Sequence, residues 1–73
     1  MSLAKAPLFK PLIITGVRAG GGLGYRLMEM GLIEGASVEV LGRAPLGDPL
    51  HIRLGDYELS LRNAEADLVE ISQ

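Results

Sequence analysis

Two short runs of alternating apolar and polar residues constrain the fold more than any other feature of this sequence. They are Leu50–Leu54 and Tyr57–Leu61, and only Gly55-Asp56 separate them. Two residues of this type suit the tight turn of a β-hairpin. A hairpin closed there places all the apolar residues on one face. It predicts the pairs Leu54–Tyr57, Arg53–Glu58, Ile52–Leu59 and Leu50–Leu61.

Glycine and proline divide the rest of the 73 residues into short segments. Residues 12–17, 36–43 and 69–71 are rich in β-branched residues or alternate in polarity, so each predicts a strand. Gly16 within the first of them predicts a bulge. Asn63 is expected to cap one helical turn that reaches Ala66. The segments together predict an all-β fold, a small five-stranded, partly closed barrel with a short helix after the first strand.

That helix is predicted over residues 22–32. Leu23, Leu27 and Met30 recur at helical spacing and are expected to face the core. Gly31 suits the left-handed position that ends many helices. Gly24 costs the helix about 1 kcal/mol relative to alanine, so tertiary packing has to hold it.

The chain is long enough for one small domain, and 48% hydrophobic residues give it material for a core. We expect residues 1–10 to be a loose lead-in, and we leave open that residues 1–3 were added in cloning. Residues 11–73 are then the single domain. No uncharged apolar run approaches the ~18 residues of a membrane span, and the start does not resemble a signal peptide. We therefore expect a cytoplasmic protein without membrane insertion.

The composition and motifs argue against nucleic-acid binding, phosphate binding, metal binding and catalysis. There is no cysteine, and 7 basic against 9 acidic residues give a net charge of −2, which does not favour nucleic acid as partner. The glycine-rich stretch AGGGLG, residues 19–24, lacks the spacing of a phosphate-binding loop, and we interpret it as a sharp turn into the helix. His51 lies on the outer face of its strand, where Asp48, Glu39 or Glu58 would have to complete any metal site. We expect no metal, no cofactor and no catalytic residue.

A partner-binding surface is the remaining hypothesis. Tyr25 and Met28 point away from the predicted core face of the helix, and Leu46 lies at the tip of a loop bounded by prolines. Loops held on a rigid scaffold often carry binding residues. The alternative is that Met28 and Leu46 pack on each other and seal the barrel.

Three segments, in order, resemble the FeoA family of bacterial ferrous iron uptake. They are RLMEMGLIEG at residues 26–35, APLGDP at 44–49 and YELSLRNAEA at 57–66. With the glycine stretch, the resemblance covers residues 12–71. The sequence departs from the family in one place, since Pro11-Leu12 stand where members often have a glycine before the first strand.

The resemblance implies an SH3-like barrel, related to the C-terminal domain of repressors of the diphtheria toxin repressor type. It also implies a non-enzymatic accessory that binds, and regulates or assembles, the membrane ferrous iron permease through its cytosolic GTPase domain. With the apolar surface described above, it selects five partner-binding residues: Leu23, Tyr25, Arg26, Met28 and Leu46.

Other functions stay open at this point. The chain could be a free-standing metal-responsive or peptide-binding regulatory domain, using His51 in the first case. Arg26 or Arg43 could instead complete the GTPase site of a partner, as arginine fingers do. Self-association through exposed strand edges is also open.

Overall fold

A computed structural model describes residues 1–72. All five predicted strands are present, and the helix follows the first of them, as predicted. Along the chain the elements are a 3₁₀ turn at Leu3–Lys5, β1 Leu12–Val17, α1 Gly21–Glu29, β2 Ser37–Arg43, β3 Leu50–Leu54, β4 Tyr57–Leu61, α2 Asn63–Ala66 and β5 Val69–Ile71. No helix within residues 1–72 has the length and apolar character needed to cross a bilayer.

The strands form one antiparallel sheet in the order β4-β3-β2-β1-β5. The β3–β4 hairpin has the predicted register, with Leu54 opposite Tyr57 and Leu50 opposite Leu61. Arg53 lies opposite Glu58, as expected. The two-residue turn and the alternation agree on one pairing, because a slip by one residue would expose the apolar face of the hairpin.

β1 changes partners halfway along its length. Leu12 and Ile13 pair with β2, whereas Ile14 to Val17 pair with β5. The register shifts between Ile14 and Gly16, which confirms the predicted bulge. A bulge bends its strand, and here it lets one sheet wrap around a single core. Fully buried side chains of that core include Ile14, Leu27, Leu32, Val38, Val40, Leu50, Ile52, Leu61 and Val69.

The expected loose lead-in is wrong for its first half. Leu3 has no exposed surface, and Ala6 is buried beside it in the same core. The Ile71 N–H donates to the Met1 carbonyl at 2.9 Å, and Ser2 bridges Glu70. The segment therefore covers the outer edge of β5. The sequence did not predict this burial, because an irregular segment has no apolar periodicity from which burial could be inferred.

Helix α1 differs from its prediction in length and in its core face. Gly31 has φ of 98°, so it ends the helix in the predicted left-handed conformation. Leu27 is fully buried and Met30 packs against the core, but Leu23 is 37% exposed. The expectation that Leu23 faces the core is wrong, because the helix contacts the core through its C-terminal half.

Candidate partner-binding surface

A shallow apolar groove of about 470 Å³ lies beside α1. Tyr25 and Met28 line it from the helix, Val17 from the end of β1, and Ile33 from the segment after the helix. Glu34 is the one charged side chain among the residues of 1–72 that line it. The groove is thus an apolar surface with an acidic residue at its border.

The groove exists because the start of α1 is built from glycine. A Cβ at Gly24 would overlap the carbonyl oxygen of Ala19 and lie 2.9 Å from its carbonyl carbon, so the helix backbone packs directly on that peptide. Gly21 has φ of 60°, which favours glycine where the chain turns from β1 into the helix. This agrees with our interpretation of the glycine stretch as a sharp turn. Small residues here also leave the groove open.

Two of the five predicted partner residues come together in this groove. The side chains of Tyr25 and Met28 are 59% and 50% exposed. They lie about 60° apart on the helical wheel, since successive residues are separated by about 100°. Both are therefore available to one partner segment.

The other three residues lie outside the groove lining. Leu23 and Arg26 lie on the opposite side of α1, where the Arg26 guanidinium pairs with Glu65 at 3.2 Å. Leu46, in the turn between β2 and β3, is 96% exposed. The alternative in which Met28 and Leu46 pack together is wrong, because Leu46 has almost its whole surface in solvent.

The turn that carries Leu46 is held by Asn63. The Asn63 backbone N–H donates to Asp48 Oδ1 at 2.8 Å, and its Nδ2 donates to the Gly47 carbonyl at 2.7 Å. Asn63 is the first residue of α2 and not its cap, which corrects our expectation. Glu65 instead reaches back to accept from the Arg62 N–H at 3.1 Å.

The sequence did not point to Val17 or Ile33 as groove residues. Ile33 is 48% exposed and lies two residues after Gly31, the glycine that ends the helix. It belongs to no periodic pattern, because it lies between α1 and β2. The apolar residue that follows a helix-ending glycine often folds back on the helix, but here that residue is the buried Leu32, so this signal does not identify Ile33.

His51 and Arg43 are both engaged within the fold. His51 Nε2 lies 2.9 Å from Glu58 Oε1, and both side chains are about half exposed. No group of three or more His, Asp or Glu residues within 1–72 is arranged to hold a metal ion. Arg43 donates to the carbonyls of Ala4 and Ala6 at 2.8 and 3.2 Å, so it ties the N-terminal segment to β2.

Comparison with known proteins supports one family. The FeoA domain model matches residues 1–73. A fusion of Fe(2+) transport protein A with the Fe(2+) transporter FeoB, from Porphyromonas gingivalis, is 37% identical over 59 residues. That match covers 81% of this chain and 7% of the fusion protein.

Solved structures share the fold. Iron(II) transport protein A from Clostridium thermocellum superposes with a TM-score of 0.92 at 35% identity, over 97% of this chain and 44% of that one. FeoA from Stenotrophomonas maltophilia, solved with zinc and described as a prokaryotic SH3 domain protein, gives 0.85 at 29% identity, over 99% and 89%. ScaR with bound Cd²⁺ gives 0.87 at 19% identity, over 100% and 35%, and shares the fold. The predicted SH3-like fold is confirmed.

Proposed function

Because this chain belongs to the FeoA family, we propose that it is a non-enzymatic, cytoplasmic accessory of bacterial ferrous iron uptake. In this proposal it binds the cytosolic GTPase domain of the membrane ferrous iron permease, and regulates or assembles that transporter. The family is linked to ferrous iron transport through the fused relative, and it is a transport accessory family.

The fusion protein is the observation that carries the proposal. In Porphyromonas gingivalis a segment similar to this chain is joined to the transporter in one polypeptide. Fusion keeps two domains at a high effective concentration, so even a weak contact between them is occupied. Such a contact needs a docking surface on the domain.

The groove beside α1 supplies the best-formed part of such a surface. Tyr25 is 59% exposed, and aromatic residues are enriched among those that dominate binding energy. Fully burying a methionine side chain contributes roughly 1.5–3 kcal/mol, so Met28 adds a second anchor. Leu23, Arg26 and Leu46 remain proposed contacts of the same partner, reached only if it extends around the helix and onto the turn.

An NMR titration of the isotope-labelled protein with the GTPase domain of the permease from the same organism tests direct docking. We expect amide signals within residues 16–34 to shift first, because this part of the chain contains the residues that line the groove. Shifts near Leu46 would extend the contact to the turn. If no signal moves at the highest GTPase concentration, the proposed docking on that domain is wrong.

Substitutions test whether the groove residues contribute more to binding than other exposed residues do. Tyr25→Asp should weaken binding at least about tenfold, because a carboxylate cannot be buried in an apolar contact without a partner. Phe9→Asp is the matched control, since Phe9 is an equally exposed aromatic residue that does not line the groove. A folded Tyr25→Asp variant that binds as tightly as the control would exclude the groove.

A further inference from the structure

The two edge strands of the sheet differ in whether another segment covers them. The outer edge of β5 is covered by residues 1–3, through the Ile71–Met1 hydrogen bond and the Ser2–Glu70 bridge. β4 forms the other edge, and among the described residues β3 is its one neighbour in the sheet. An uncovered strand edge is a template for pairing with another strand.

The free groups of β4 follow from the hairpin. In a hairpin closed by a two-residue turn the closing pair, here Leu54 and Tyr57, exchanges both hydrogen bonds. Bonded pairs recur at every second position, so Leu59 and Leu61 also bond inward. The N–H and C=O groups of Glu58 and Ser60 therefore point away from β3. Within residues 1–72, neither residue makes a backbone hydrogen bond outside the hairpin.

We propose that this edge pairs with the β4 edge of a second copy of the chain, antiparallel and centred on Leu59. The twofold axis then passes between the two Leu59 residues. Glu58 of each copy exchanges backbone hydrogen bonds with Ser60 of the other. This interaction is independent of the docking proposed above, because none of these residues lines the groove beside α1.

The charges along β4 favour this register. It brings Asp56, in the hairpin turn just before β4, next to Arg62 of the other copy, which directly follows β4. Asp56 makes no ion pair within residues 1–72. The side chain of Arg62 is 68% exposed, and its one ion pair, with Asp48 at 3.7 Å, is long. Arg62 also keeps an extended backbone (φ −67°, ψ 147°), so it continues the line of β4.

Neighbouring registers are worse. A shift of two residues toward the turn places Glu58 opposite Glu58 of the second copy, and like charges directly opposed are destabilising. A shift of two residues the other way pairs Glu58 with Arg62, but it leaves Asp56 without a partner strand and brings Asn63, which is helical, into the pairing. The centred register also brings Tyr57, which is half exposed, and Leu59, which is partly buried, against the second copy.

Sedimentation equilibrium over a range of protein concentrations, with charge reversals at the two ends of β4, tests the pairing. The wild type should show a monomer–dimer equilibrium. Asp56→Arg and Arg62→Glu should each weaken it by roughly tenfold, because each reversal makes both symmetry-related pairs repulsive. The double variant Asp56→Arg/Arg62→Glu should restore it. Lys10→Glu is the control, since it changes the net charge as Arg62→Glu does but lies outside the edge.

The backbone of the edge is tested by Ser60→Pro. Proline removes the outward N–H of Ser60 without removing a bond to β3, so the hairpin should persist in NMR spectra while the dimer is lost. A wild type that stays monomeric at all concentrations overturns the proposal. A dimer that survives Ser60→Pro also overturns it. A dimer lost in Ser60→Pro but unchanged by the charge reversals overturns the assigned register.

Discussion

Gly24 decides how closely α1 can approach the end of β1. In isolation a glycine inside a helix is a defect, because alanine there would be more favourable by about 1 kcal/mol. The Ala19 carbonyl occupies the space that a Cβ at position 24 would need. Only glycine therefore allows the helix backbone to contact the Ala19 peptide. The same contact sets the position of Tyr25, which follows directly in the helix.

Two of the three glycines of this helix, Gly22 and Gly24, therefore predict opposite effects of alanine. Gly24→Ala should lower the free energy of unfolding by roughly 1–3 kcal/mol, because overpacking costs more than the gain in helix propensity. Within residues 1–72, a Cβ at Gly22 would meet nothing within 4 Å apart from its chain neighbours and its own helix backbone. Gly22→Ala should therefore leave stability unchanged or raise it by up to about 1 kcal/mol. Urea unfolding followed by circular dichroism measures both. Equal effects of the two substitutions would contradict the role given to Ala19.

Elements fixed by interactions between residues close in sequence could be predicted, whereas contacts between residues far apart in sequence could not. The β3–β4 hairpin could be predicted to the residue, because Gly55-Asp56 and the alternation around it are local. The sequence pointed to Tyr25 and Met28 through their position on the helix, but Ile33 and Val17 are brought to them by tertiary packing. Leu3 was missed for the same reason. Its burial depends on β5, almost 70 residues away.

The turn between β2 and β3 and helix α2 form one unit through Asn63. Asn63→Ala removes the bond to the Gly47 carbonyl and should cost about 1 kcal/mol of stability. Asn63→Asp should cost more, roughly 1–3 kcal/mol, because a carboxylate oxygen then faces that carbonyl with no proton to donate. Thermal unfolding measures the order of the two variants. Asn63→Asp as stable as the wild type would show that the turn does not depend on this bond.

For the whole molecule, the buried N-terminal segment makes the core one cooperative unit. Leu3→Ala should lower the free energy of unfolding by roughly 2–4 kcal/mol, a large share of the roughly 4–11 kcal/mol expected for a chain of this length. Leu8→Ala is the matched control and should cost far less, because Leu8 is 45% exposed. Urea titrations followed by NMR measure both and should show one transition for all signals. A small effect of Leu3→Ala would mean that residues 1–6 detach from the core independently.

The hydrogen bond between Ile71 and Met1 also determines how this fold can be carried by other polypeptides. Because the first residue and the last strand lie side by side, a linker attached at either position would leave from the same spot on the surface. A host protein could then accept the domain within a loop without having its own ends pulled apart. Such a domain is a portable module that can be gained, lost or moved within a gene while its host keeps its shape.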